Sequence, residues 1–254
     1  EGSVVKYAVT TPVGTPLTLA SVKSSRRAFA LHVARGVLDA LEVAHRCGIA
    51  HCDVRPDNVV LYPPKHGSWS ITGSGSTWRR PGAKAIGYHA VLVDWGVSTK
   101  TGTVPSHILG VREYVHPGLI RAATDDGTEE YAVNAEHDLV AVVYLLVALR
   151  DPRGQVPWFN TLVVRDGERP PCDLEGRAKW FDAAAAEHAT VWNRAIADLL
   201  RGVTAGTLAS AAALRAAIDD MAPLTAADEP ADLIRVSPKK DAKGWVWKVS
   251  TPKA

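Results

Sequence analysis

The chain has 254 residues, 46% of them hydrophobic and 22% charged, with a formal net charge of +2. This is the composition of an ordinary globular protein, large enough for one big domain or two small ones, and it excludes a disordered chain. The basic residues are dispersed, and the pair Arg79-Arg80 reads as a solvated loop, so no nucleic-acid partner is expected. Cys47, Cys52 and Cys172 have neither metal-ligand spacing nor the even number of a disulfide framework, which makes an intracellular setting, cytoplasm or nucleus, the expectation. No apolar run reaches membrane-spanning length and nothing reads as a signal peptide, so no membrane partner is expected either.

In chain order, residues 4–10 (VVKYAVT) read as a strand, and 11–17 (TPVGTPL) as a loop broken by Pro and Gly. From Ser24 to Arg46 the residues Phe29, Ala30, Val33, Ala34, Val37, Leu38, Leu41 and Ala44 recur at helical spacing. Ser24 or Ser25 would cap this helix and Gly48 would close it. The spacing delivers the chain straight into HCDVRPDNVVL, His51 to Leu61. Asn58 to Tyr62 and Ala90 to Val93 read as two antiparallel strands around a connection, Pro63 to His89, rich in Gly, Ser and Pro. Residues 97–118 read as irregular, Asp138 to Leu149 as an apolar helix, and 177–201 and 207–221 as further helices. GWVWKV at 244–249 reads as a short closing strand or a docked tail.

Within this order sits a set of residues with chemical meaning. Asp53 is an acid, Arg55 a cation two places on, Asn58 an amide five places on, and Asp94 a second acid before glycine in VLVDWG. Taken alone, Asp53 to Asn58 also has the composition of a plain turn. Together with Asp94 it resembles the protein kinase family, whose catalytic loop reads H-R-D-x-x-x-x-N and whose metal-binding turn reads D-F-G. Two more segments carry the resemblance. LGVREYVHPG at 109–118 resembles the stretch that positions the acceptor peptide, with Gly110, Glu113, Tyr114 and Pro117 matching. HDLVAVVYLLVAL resembles the central buried helix, with Asp138 at its capping position. The resemblance covers roughly residues 4 to 220.

The resemblance implies an α+β, mainly helical, kinase-like C-terminal lobe over residues 18–222, with 63–89 as an inserted loop. Residues 1–17 would be the last small-lobe strand and hinge, and 223–254 a C-terminal tail. It implies ATP and Mg²⁺ as cofactors and the Ser or Thr hydroxyls of a protein substrate as acceptors. Asp53 would orient the attacking hydroxyl, and Arg55 would stand where a lysine commonly faces the transferring phosphate. Asn58 and Asp94 would hold the metal, since Mg²⁺ prefers hard oxygen ligands. Thr10 would be the gatekeeper, Thr11 and Val13 would offer backbone groups to adenine, and Val60 or Leu61 would form the apolar floor beneath it. Asp138 would hold backbone N–H groups of the loop.

The departures are as informative. Cys52 replaces the arginine that commonly receives an activation-loop phosphate, Trp95 stands for Phe, and Gly118 replaces a glutamate that pairs with an arginine further on. No such arginine occurs in TAGTLASAAAL. The only methionine is Met221, so the chain reads as part of a longer one, and the resemblance then implies a glycine-rich loop and its partner lysine upstream of Glu1. Two alternatives stay open: a pseudokinase scaffold, and a small-molecule phosphotransferase of the aminoglycoside or choline kinase type, which also carries an H-x-D-x-x-x-x-N loop.

Overall fold

A computed structural model describes residues 15–17, 27–62, 89–124, 130–151, 154–159, 173–226, 234–242 and 244–250. The predicted strand at 4–10, Thr10, Thr11, Val13 and most of the 63–89 connection lie outside these residues. The architecture is α+β and mainly helical. Among the described residues no helix is long and apolar enough to cross a membrane.

Helix α1 (Arg27–Arg46) buries Phe29, Ala30, Val33, Ala34, Val37, Leu38 and Leu41, one continuous stripe at the 3.6-residue period. Gly48, at φ +69°, stops it, as its sequence position requires. Gly36 in mid-helix has a different purpose. A Cβ there would lie 2.4 Å from the carbonyl oxygen of Ala90, so strand β4 crosses the helix where only glycine fits.

Strand β2 (Ile49–Ala50) follows α1, then comes the His51–Asn58 loop, whose last turn is a 3₁₀ segment at Pro56–Asn58. Strands β3 (Val59–Tyr62) and β4 (His89–Leu92) pair antiparallel, Val59 opposite Leu92 and Tyr62 opposite His89. The predicted pair is present, but it has a third member. Strand β1 (Thr15–Pro16) pairs with β3, and Leu17 N–H continues to Val59 O at 2.8 Å, where the sequence suggested a loop. Pro16 had argued against a strand; as an edge strand β1 tolerates it.

Strand β5 (Thr99–Lys100) pairs antiparallel with β2, ordering part of a stretch predicted to be irregular. Helix α2 (Pro117–Thr124) follows, and then α3 (Ala135–Ala148), which is buried from His137 to Ala148 on every side. A helix apolar all round must lie inside, and this one is the axle of the core. Its start corrects the prediction. Asn134, not Asp138, is the N-cap, its side chain accepting from Glu136 N–H at 2.8 Å. Asp138 therefore lies one turn inside the helix, with its carboxylate free for another element.

Helices α4 (Asp173–Ala185), α5 (Val191–Thr204) and α6 (Ala211–Asp220) pack around α3 and α1. The predicted 177–201 helix is thus two helices, divided at Thr190, whose hydroxyl caps α5. The tail forms a hairpin of β6 (Arg235–Asp241) and β7 (Gly244–Ser250). It is docked: Trp247 lies against Gly176, and Trp180 Nε1 donates to Ile234 O at 3.0 Å.

Candidate functional site

The loop between β2 and β3 hangs from α3. Asp138, fully buried, accepts from His51 N–H at 2.8 Å and His45 Nε2 at 2.8 Å through Oδ2, and from Cys52 N–H at 2.9 Å through Oδ1. Three donors around one buried carboxylate are what make its burial tolerable. The role predicted for Asp138 toward the loop is present, though from inside the helix.

His51 ties the loop to the other strand. Its Nε2 donates to Val93 O at 3.0 Å and its Nδ1 accepts from Asp53 N–H at 3.2 Å, a pattern only the neutral ring satisfies. Burial pushes its pKa below the ordinary 6.5, against the pull of Asp138 and the Val93 carbonyl. The Trp95 ring meets the same ring in a T-shaped pair, centroids 4.5 Å apart, so the tryptophan is accommodated beside the loop.

Asp53 is the centre of the arrangement. Its Oδ2 accepts from Asn58 Nδ2 at 2.6 Å and from Arg55 Nε at 3.2 Å, and its Oδ1 accepts from Val111 N–H at 3.1 Å. Asn58 Nδ2 also donates to Asp53 O at 2.9 Å, closing the loop on itself and turning the amide oxygen away from Asp53. Arg55 reaches back to the exposed Asp57, at 2.7 Å, so its guanidinium spans two carboxylates. The sequence reading grouped Asp53, Arg55 and Asn58, and the structure brings all three together.

Asp94 stands at the end of β4, one residue beyond Val93, whose N–H donates to Asn58 O at 2.8 Å. It is exposed and has φ +61°. Cys52, at φ +68°, is the other non-glycine residue described in the left-handed region. One lies within the His51–Asn58 loop and the other just beyond β4, and left-handed backbone at non-glycine residues is the kind of local cost that a site retains. Val60 is half-buried on β3 and Leu61 belongs to the core. Thr11 and Val13 lie outside the described residues.

The residues that would hold a metal here are Asn58 and Asp94, which would offer one neutral and one anionic oxygen. Among the described residues no group of three or more His, Cys, Asp or Glu side chains gathers for a metal. Two protein oxygens suit Mg²⁺, which keeps waters and takes its remaining ligands from phosphates, and they would be too few for a structural zinc.

The Cys52 side chain closes a small apolar cluster with Ala50, Val133, Leu109 and Tyr131. Burial, with Asp138 nearby, pushes its thiol up to about 12, so it is neither a nucleophile nor a receiver for an anion. Gly110 has φ +81°, and a Cβ would lie 2.2 Å from Cys52 O, so the backbone of the 109–118 segment presses directly on the loop. At the far end Gly118 lies under the Tyr131 ring, where a Cβ would approach to 2.6 Å. His116 stacks on that ring at 4.9 Å and meets Glu136 at 3.2 Å. Burial lowers the pKa of His116, and it holds that of His137, the next ring along, at about 4.

Three residues that matter here were not legible. His45 on α1 adds the third donor to Asp138. Trp158 donates from Nε1 to Glu113 O at 2.9 Å. Arg177, deep in α4, donates to the carbonyls of Val115 and Arg112. The available signal was weak: Asp173 and Arg177 are spaced i, i+4, as exposed helical pairs often are. No protein-family model matches the chain, and no curated protein matches it.

Proposed function

We propose that the chain carries the large lobe of a protein-kinase-like phosphotransferase, moving the γ-phosphoryl group of ATP to Ser or Thr hydroxyls. The observation that carries this reading is the Asp53 carboxylate. It is almost buried, yet held from three sides by Asn58, Arg55 and Val111 N–H, in a loop hung from Asp138. A carboxylate needed only for a turn would be met by its own loop, as it is by Arg55 and Asn58, but not also by a backbone amide 58 residues away, and fixed orientation is what a group serving an attacking hydroxyl requires.

In this reading Asp53 accepts the hydroxyl proton as the hydroxyl oxygen bonds to the γ-phosphorus and the bond to ADP breaks. Val111 N–H and Asn58 Nδ2 keep the carboxylate aimed while that happens. Arg55, already between Asp53 and Asp57, brings a delocalised positive charge to the place where negative charge builds. Asn58 and Asp94 would hold a metal ion, which would supply positive charge to offset that of the phosphates.

The test is phosphoryl transfer by the full-length protein from radiolabelled ATP, offered in parallel to a mixed Ser/Thr peptide library and to aminoglycosides and choline. Labelled peptides support the reading. Labelled aminoglycoside or choline moves the protein to the small-molecule phosphotransferases. No transfer to either, with Asp94→Asn leaving ATP affinity equally metal-dependent, leaves a scaffold and overturns the proposal.

A further inference from the structure

We infer that Arg177 is the positioning residue that holds the 110–115 segment against Asp53. Arg177 is 3% exposed, yet its guanidinium is spent mainly on backbone far away in sequence. Nη1 donates to Val115 O at 2.6 Å, and Nη2 donates to Arg112 O and, at 2.9 Å, to Asp173 Oδ2. The carbonyl between them, Glu113 O, is taken by Trp158 Nε1. At the other end of the same turn, Tyr114 and Val115 N–H both reach Val111 O, and Val111 N–H donates to Asp53 Oδ1. One rigid turn therefore has its carbonyls fixed by Arg177 and Trp158 and its leading amide fixed on Asp53.

A guanidinium suits this task where an ammonium does not. Its planar fork reaches two carbonyls and a carboxylate at once, and its face lies over Tyr144 at 5.1 Å and Trp158 at 6.0 Å. Asp173 balances the charge and also takes Arg112 Nε at 3.0 Å, so the exposed side of the segment is tied to the same carboxylate. A plain Asp173–Arg177 ion pair would not explain the geometry, because a buried pair gains little for stability by itself. Arg177 grips the segment by its backbone carbonyls and not through its acid, Glu113; position 118 is glycine, and the Tyr131 ring fills the space a side chain there would need.

The kinetic part of the test rests on the proposed phosphotransferase function; the exchange part does not. In the full-length protein carrying Arg177→Lys, amide exchange at Val111 and Val115 should rise about 10- to 100-fold, the cost of losing charge-assisted bonds, while α3 amides stay protected. The turnover number for acceptor phosphorylation should fall about 100-fold with the ATP KM unchanged, because the carboxylate is misaimed and nucleotide sites are not touched. Should Arg177→Lys fail to fold, the pair Arg177→Met with Asp173→Asn removes both charges, fills the aromatic slot and should show the same local opening. Exchange that rises equally in α3 and in 110–115, or not at all, would overturn the inference. So would local opening with an unchanged turnover number. Local opening in a protein whose unmutated form transfers no phosphoryl group would support Arg177 as the clamp and sink the phosphotransferase reading alone.

Discussion

The His51–Asn58 loop and the 109–118 segment meet at Asp53, and they are held in opposite ways. The loop is secured largely from nearby: its own Asn58, its own Arg55, its own His51, and then Asp138 and Val93. The segment bonds within a single turn and is otherwise pinned by side chains that arrive 45 to 65 residues later, Trp158, Asp173 and Arg177. A loop whose bonds are local prints its spacing in the sequence. A segment whose bonds are distant leaves only a few matching letters, and which arginine serves it is decided by packing.

The largest effect should come from the most distant of the residues that hold the loop. Asp138→Ala orphans two buried backbone N–H groups and takes the partner from the half-buried His45 ring. A loss of about 3–5 kcal/mol is expected, read from urea unfolding midpoints. A loss below about 1 kcal/mol would mean that the loop is self-supporting and the contrast with the segment stronger than drawn.

Acid should act next, and on both regions. His51, His116 and His137 are all held below 6.5 by burial, so the native state favours their neutral forms. Their contribution is complete above pH 6.5, where both states are neutral, and is lost as pH falls, because the unfolded chain takes up protons first. For His137, whose native pKa is about 4, the loss approaches about 3 kcal/mol by pH 4. Unfolding midpoints between pH 7.5 and 4 measure this, and His137→Gln should flatten the slope by about one proton. An unchanged slope would remove His137 from the account.

Gly36→Ala should cost about 1–3 kcal/mol by thermal unfolding, even though alanine is the better helix former, because the added methyl meets Ala90 O. A stabilised variant would show that β4 yields and that the sheet is not seated rigidly on α1. The smallest effect expected is none. Phosphatase treatment should leave activity and the exchange protection of Val111 intact, since the Cys52 side chain is closed into apolar packing and presents no receiver for a phosphate. Marked inactivation would show that a basic residue of the segment, Arg112 first, takes one.

These comparisons also say what the sequence can carry. The α1 stripe, the β3–β4 pair and the Asp53–Arg55–Asn58 set follow from short-range spacing, and each is present. The cap of α3 was misassigned because Asp138 and Asn134 are both good capping residues, and only the three-dimensional demand of the loop decides between them. Strand β1 was missed because Pro16 breaks a pattern in isolation but is harmless on an edge. Arg177 was missed because a cation on a helix reads as solvent-facing unless its buried acceptors are known, and those acceptors are backbone carbonyls with no letter of their own.

The central claim is that Asp53 is held for chemistry and not for folding. Asp53→Asn in the full-length protein, assayed for phosphoryl transfer, ATP affinity and melting temperature together, tests it most directly. The amide keeps the shape and an oxygen acceptor but loses the basic carboxylate. Transfer should fall by about 10²–10⁴-fold while ATP affinity stays close to that of the unmutated protein and the melting temperature falls by only a few degrees, the cost of turning one of the two accepting oxygens into a donor. A large fall in melting temperature with transfer retained in the folded fraction would make Asp53 a structural turn residue and contradict the account.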